Sequence, residues 1–341
     1  MSAPEAARAH WQHLESYHAV VYFAPEVIEA LVGLGLPGFW MGYFAGRAAP
    51  LGPVGPAVAE ALFYNFNPEL VRRALPAAWD RAAPELVLGS RLHAVDAALW
   101  AILAEEVRAT ELVVAAQLAR KAAEAADCSG RALAAAHAES EWPTVAHLVM
   151  WQAATVLREH RGDGHVITLV NEGVSGLQAH LLAVANGQSS AAQLQTARHW
   201  SPEAWAEAAQ GLRARGLLDG QAGLTKRGRA FKQRIETQTD RLAAAPYQVL
   251  SEEENARLLS YGARLTSLIG AAGVVPFPNP MGLIAPPAIT ERAGRASEAV
   301  STDLVVDLRD DKTPIASGAA RRARQGSNRS SRAGARVQTP G

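Results

Sequence analysis

A single cysteine, Cys128, stands among 341 residues, so no internal disulfide can form and a reducing, cytoplasmic compartment is expected. The chain has no G-x-S-x-G elbow, no Walker loop, no H-E-x-x-H pair and no paired C-x-x-C. That removes the commonest hydrolase, nucleotide-hydrolysing and structural-zinc classes. Unbroken apolar runs are missing too, and a membrane span needs roughly 20 predominantly apolar residues. The uncharged stretch 30–46 is short and holds Pro37, Gly33, Gly35, Gly38 and Gly42. The stretch 265–290 is interrupted by Pro276, Pro278, Asn279, Pro280, Pro286 and Pro287. Glu5, Arg8, His10, His13 and Glu15 rule out a visible secretory signal, so a soluble protein with no membrane partner is expected. Long β-branched runs are scarce, whereas alanine and leucine dominate, which makes the bulk helical.

What is present is enough apolar material, 49% of residues, for two ordinary domains with real cores. The formal net charge of +0 conceals an asymmetry. Residues 312–341 carry seven lysines and arginines and no acid, leaving −7 on residues 1–311. The segment 285–341, rich in proline and then basic, reads as a disordered tail able to attract phosphates nonspecifically.

The chain also repeats itself. Leu31-Val-Gly-Leu-Gly-Leu-Pro-Gly38 returns as Leu169-Val-Asn-Glu-Gly-Val-Ser-Gly176, an offset of 138, and Asn67-Pro68-Glu69 returns as Ser201-Pro202-Glu203, an offset of 134. The pattern predicts two similar lobes, 1–135 and 136–284, about a pseudo-twofold axis, with a pocket where they meet. Helices are expected over 26–32, 39–49, 55–66 and 95–126, with Asn67 capping a further one. In the second lobe 145–159 is helical, 161–164 breaks it, and 190–198 and 201–215 flank a tight turn. The Asp219-Gly220 stretch between apolar pairs predicts a small hairpin, followed by a helix capped by Thr225.

Helix, turn, helix, hairpin, helix is the order of a winged-helix domain. The segment Trp200-Ser-Pro-Glu-Ala-Trp205 … Leu224-Thr-Lys-Arg-Gly228 resembles the MarR-like winged helix-turn-helix family, in which these positions are recognition helix, wing and the helix beyond. Trp40 to Pro50 with Tyr64, the run 158–165, and Thr239-Asp-Arg-Leu-Ala243 resemble an actinobacterial helix-turn-helix family without a settled activity. The expected fold is thus mainly α, with two tandem winged-helix-like lobes forming a pseudo-dimer by internal duplication, and a disordered C-terminal tail.

Gly33-x-Gly35-x-x-Gly38 matches the dinucleotide fingerprint as a string, but a helix precedes it where the chemistry needs a strand, so it reads as a helix-ending turn. The densest polar run, Arg158-Glu-His-Arg-Gly-Asp-Gly-His165, has two readings. His160, Asp163 and His165 could bind a metal or move protons, or Asp163 could cap a helix while the histidines satisfy carbonyls. The aromatics Trp40, Tyr43 and Tyr64, with Arg47 beside them, form the core or wall a cavity for an apolar or anionic small molecule.

A recognition helix should offer cations and amides to DNA. Here it carries Glu203, Glu207 and Gln210, while Lys226, Arg227 and Arg229 follow the wing, and the first-lobe copy offers Arg72 and Arg73. The reading is a regulator of duplex DNA that responds to a small molecule held between the lobes, monomeric as a pseudo-dimer or homodimeric, with its cofactor unknown. Two others stand beside it: a ligand-sequestering protein that has lost DNA contact, and a metal- or cofactor-dependent enzyme built on His160, Asp163 and His165.

Overall fold

Proline is the first residue of five of the α-helices, where its missing N–H costs nothing. The computed structural model describes residues 1–277, 279 and 281–283, all within one compact unit, Met1–Arg309. The basic end of the chain, like the tail expected over 285–341, lies outside the described residues. The helices are α1 (Ala3–Phe23), α2 (Pro25–Gly33), α3 (Gly38–Ala48), α4 (Pro56–Leu62), α5 (Pro68–Ala74), α6 (Pro84–Leu103) and α7 (Thr110–Glu124). They continue as α8 (Ala132–Ala138), α9 (Ala146–Asn171), α10 (Gly176–Ala185), α11 (Ala191–Arg198), α12 (Pro202–Ala214), α13 (Lys226–Leu242) and α14 (Glu252–Ala272). A lone antiparallel bridge, Leu218 to Leu224, precedes α13 and is the only β pairing among the described residues.

Helix α9 is the axis of the molecule. Its residues 147–157 are buried in succession, with α1, α6, α7 and α8 packed around them. The main core takes side chains from α1 to α8, this stretch of α9, and α14. A smaller core gathers Leu169 from the end of α9, Leu177 and Leu181 from α10, Leu212 from α12, and Phe231 and Ile235 from α13. Apolar packing therefore runs through the 135/136 boundary expected from the repeat. The small unit hangs on the far ends of α9 and α13. The segment Pro84–Arg108 is long and apolar enough to cross a membrane by length and composition, but its Val87, Val95 and Leu99 belong to the main core.

The repeated blocks do share local geometry. Leu36 N–H donates to Leu31 O (3.3 Å) and Val174 N–H to Leu169 O (2.9 Å), closing α2 and α9 with the same six-residue return. Gly35 (φ +82°) and Gly173 (φ +61°) supply the left-handed residue this return needs. Asn67 and Ser201 each accept a backbone N–H at the start of α5 and α12. The likeness stops there, because α5 runs through Leu75 toward α6 with no bridge after it, and only the second block is followed by a bridged hairpin among the described residues.

One unexpected break appears and one expected break is absent. The helix expected over 95–126 is interrupted at Ala104 (φ +48°), where a short 3-10 turn brings Glu106 against Arg264 (2.9 Å) and Tyr261 (2.6 Å) of α14. The break expected at 161–164 does not occur, and α9 passes straight through it. Gly164 instead makes room for another side chain: a Cβ there would sit 2.5 Å from Arg131 Nη1, whose guanidinium bonds the His160 carbonyl.

Gly176 shows the same logic at the seam between the two cores. A Cβ on it would lie 2.1 Å from Tyr64 O and 2.6 Å from Asn65 Cα, both backbone atoms that cannot swing away. Tyr64 Oη donates to Val174 O (2.7 Å), His180 Nε2 to Asn65 O (2.8 Å) and Asn67 Nδ2 to His199 O (2.6 Å), so the loop 64–67 is stitched onto α10 and the α11–α12 turn. Gly176→Ala is expected to cost about 3 kcal/mol in denaturant unfolding. Gly33→Ala, which meets nothing within 4 Å, is the control. Equal stability of the two variants would show that the seam is not close-packed.

Candidate functional site

The arginines of α9 and α11 face each other across the gap between the two cores. The middle of α1, the last turns of α3, the stretch 158–165 of α9, α10, α11 and α13 enclose a cavity of about 260 Å³ there. Arg47, Arg158, Arg161, Arg198 and Lys232 line it, together with Glu15, Glu236, Tyr43, Phe66, Trp11 and His165. Most of the cations are neutralised locally. Glu159 accepts from Arg47 (3.1 Å) and Arg158 (2.8 Å), Glu15 pairs with Arg158 (3.2 Å), Asp240 with Arg161 (2.8 Å), and Glu236 with Lys232. Burial opposes ionisation of Glu159, yet the two guanidiniums hold its carboxyl well below the usual carboxylate range.

Arg198 is different. It ends α11, is 7% exposed, and pairs with no carboxylate among the described residues. Its guanidinium lies 3.9 Å from the centre of the Phe66 ring, and its Nε has no hydrogen-bond partner. Arg47 Nε is likewise buried without a partner. Desolvation lowers the Arg198 pKa from the usual arginine value. Burial would push the Tyr43 hydroxyl up, but Arg47, Arg198 and Arg158 outweigh it and draw it below the ordinary tyrosine value. The field in the cavity thus favours negative charge.

The residues singled out from sequence separate into groups. Tyr43, Arg47 and His165 line this cavity. Tyr64 is spent on the seam and borders an open groove beside α12. Trp40 is a core ring, 6% exposed, in contact with Phe39, Tyr43, Phe44 and Phe66. His160, Asp163 and His165 are not brought together. His160 Nε2 donates to Asp127 O (3.2 Å), Asp163 accepts from Ala134 N–H (3.1 Å), and His165 Nδ1 faces Thr239 Oγ1 (2.9 Å). Asp163 does act as a cap, but for α8 across the core rather than for its own helix. No group of three His, Cys, Asp or Glu side chains among the described residues is placed to hold a metal ion.

Arg161, Arg198 and Lys232 escaped the sequence reading. Arg161 sits inside the polar run that drew attention, whereas Arg198 looks like any cation in the last turn of a helix.

On the other side of the small core, α11, the turn 199–201 and α12 form a helix-turn-helix. Glu203, Ala206, Glu207 and Gln210 are exposed on α12. Lys226, Arg227 and Arg229 are exposed where α13 leaves the hairpin, and Lys226 and Arg227 have no ion-pair partner among the described residues. Arg72 and Arg73 of α5 are paired with Glu60 (2.7 Å) and Glu69 (3.9 Å).

This arrangement is that of a helix-turn-helix protein. The sequence model of a helix-turn-helix family matches residues 7–276, and the chain belongs to that family. No curated protein and no solved structure matches the chain.

Proposed function

We propose that the protein is a cytoplasmic, MarR-like DNA-binding regulator whose helix-turn-helix responds to a small molecule held in the cavity between the two cores. The observation that carries the DNA half is the cluster of exposed, unpaired cations at the base of the wing, Lys226 and Arg227, beside a helix-turn-helix. These residues suit phosphates. The face of α12, with Glu203 and Glu207, suits base edges poorly and repels the backbone, so binding would be weak in sequence preference and strong in salt dependence.

Anisotropy of a labelled duplex tests this. Lys226→Ala with Arg227→Ala is expected to lower affinity and to flatten the salt slope by about two counterions. Glu203→Gln with Glu207→Gln is expected to raise affinity roughly tenfold at low salt. No duplex binding by the wild type at low salt would remove the DNA assignment, and identical binding by all three proteins would remove these residues from it. One observation favours the second reading, a ligand-sequestering protein: Ala204, Glu207 and Gly211 of α12 border a groove shared with Ala57 and Ala61 of α4, so the body crowds one side of this helix.

A further inference from the structure

The charges around the cavity leave cations in excess. Glu15, Glu159, Glu236 and Asp240 are distributed among Arg8, Arg47, Arg158, Arg161 and Lys232, and Arg198 receives none of them. A guanidinium held 93% out of solvent, with only a ring face and a tyrosine beside it, is costly to keep charged. Its most stable complement is an acceptor brought in from outside. Arg47 Nε, also buried and unpartnered, lines the same cavity.

We propose that the cavity binds a small organic oxyanion, a carboxylate or a phosphate monoester, with Arg198 and Arg47 on its head group and Phe66, Tyr43 and Trp11 around its apolar body. Such an anion would use the planar fork of a guanidinium in a site already dry on one side. It would also reduce the excess positive charge of the cavity.

The position of Arg198 gives the anion a mechanical consequence. Arg198 is the last residue of α11, and the next residue, His199, takes the left-handed conformation (φ +56°) that turns the chain into α12. The His199 carbonyl is held by Asn67 Nδ2 of the body (2.6 Å), and its ring lies against Trp40. An anion joining Arg198 to Arg47 of α3 would add a second tie between the body and this turn. Which orientation of α12 is favoured would then depend on occupancy. This step rests on the regulator reading, whereas the anion site itself does not.

The test uses the full chain and its Arg198→Met variant, melted alone and with benzoate, phenyl phosphate, inorganic phosphate and neutral benzamide. With no additive, removal of an uncompensated buried charge is expected to raise the melting temperature by a few degrees, roughly 2–4 °C. A fall of that size would overturn the proposal, since it would mean that Arg198 already has a structural partner. In the wild type, benzoate or phenyl phosphate is expected to stabilise and to change tryptophan emission, with affinity falling tenfold or more, by order of magnitude, in Arg198→Met. The tighter of the two probes assigns the head group. Stabilisation by benzamide as strong as by benzoate, equal anion binding by the variant, or no response of the wild type to any anion would overturn the proposal. Anion binding without any duplex binding would sink the regulator reading and leave this site standing.

Discussion

Between pH 6.5 and 5 the folded protein is expected to lose stability steeply, enough to unfold near the lower end. Six histidines, five of them buried and His165 half-buried, are held neutral by desolvation. His10, His160 and His165 are depressed to about 4, His137 and His180 to about 3, and His18 lies well below the ordinary value of 6.5. Their hydrogen bonds suit the neutral ring. The Thr155 hydroxyl donates to Trp151 O (2.8 Å), so His18 Nδ1 donates to Thr155 Oγ1 and its Nε2 accepts from Tyr22. A second proton would reverse the bond to Tyr22 and place a charge in a fully buried site. The Thr239 hydroxyl, which donates to Ile235 O (2.9 Å), fixes His165 in the same way.

A histidine with a depressed folded pKa contributes stability above its unfolded pKa, and that contribution is lost as pH falls toward the folded value. The window is therefore 6.5 down to about 4, and each group removes about 1.4 kcal/mol per pH unit within it. Six such groups amount to roughly 8 kcal/mol at one unit below the unfolded pKa, comparable with the whole stability of a typical domain. Asp163 opposes this: burial raises its pKa to about 6, so acidification relieves the cost of burying its charge. That relief amounts to about 1 kcal/mol over the same step and does not reverse the trend. Denaturant melts from pH 7 to 5 measure the slope, and His165→Gln should reduce it by about one sixth. A flat profile would mean that these rings accept protons in the folded state.

How much of this was legible in the sequence depended on how local the cause was. Gly35 and Gly173 were readable because a left-handed residue closing a helix is a property of a few neighbouring residues. Asn67 and Thr225 were readable as caps for the same reason. Gly38 and Gly176 align in the repeat but have different causes: Gly38 takes φ +71°, whereas Gly176 makes room for the distant backbone of Tyr64 and Asn65. Gly162 and Gly164 look like a turn in sequence, because nothing nearby reveals that Arg131 must pass against the helix. The helix-turn-helix order was visible, since each of its parts carries its own start and stop signals. The anion cavity was only half visible. Tyr43, Arg47 and His165 were singled out, but whether a given arginine is neutralised depends on carboxylates as far away in sequence as Glu15 is from Arg158.

Glu159 is where that neutralisation is most exposed to test. Its carboxylate, 1% exposed as a residue, accepts from Arg47 of α3 and from its neighbour Arg158 in the middle of the protein. Glu159→Gln keeps the shape and removes the charge, leaving Arg47 with no carboxylate and Arg158 with Glu15 alone. A buried ion pair broken from one side costs about 3–5 kcal/mol, because the surviving charge stays desolvated. For a chain of this size that is a fall in melting temperature of roughly 10 °C. Removing both partners leaves no orphaned charge. Glu159→Leu with Arg47→Met is therefore expected to recover much of the loss and to be more stable than either single variant. If the double variant is as unstable as the sum of the singles, the two residues act independently and the cavity is not held together by their pairing. If Glu159→Gln is within about 1 kcal/mol of wild type, Glu159 is not the charge that keeps these two arginines apart.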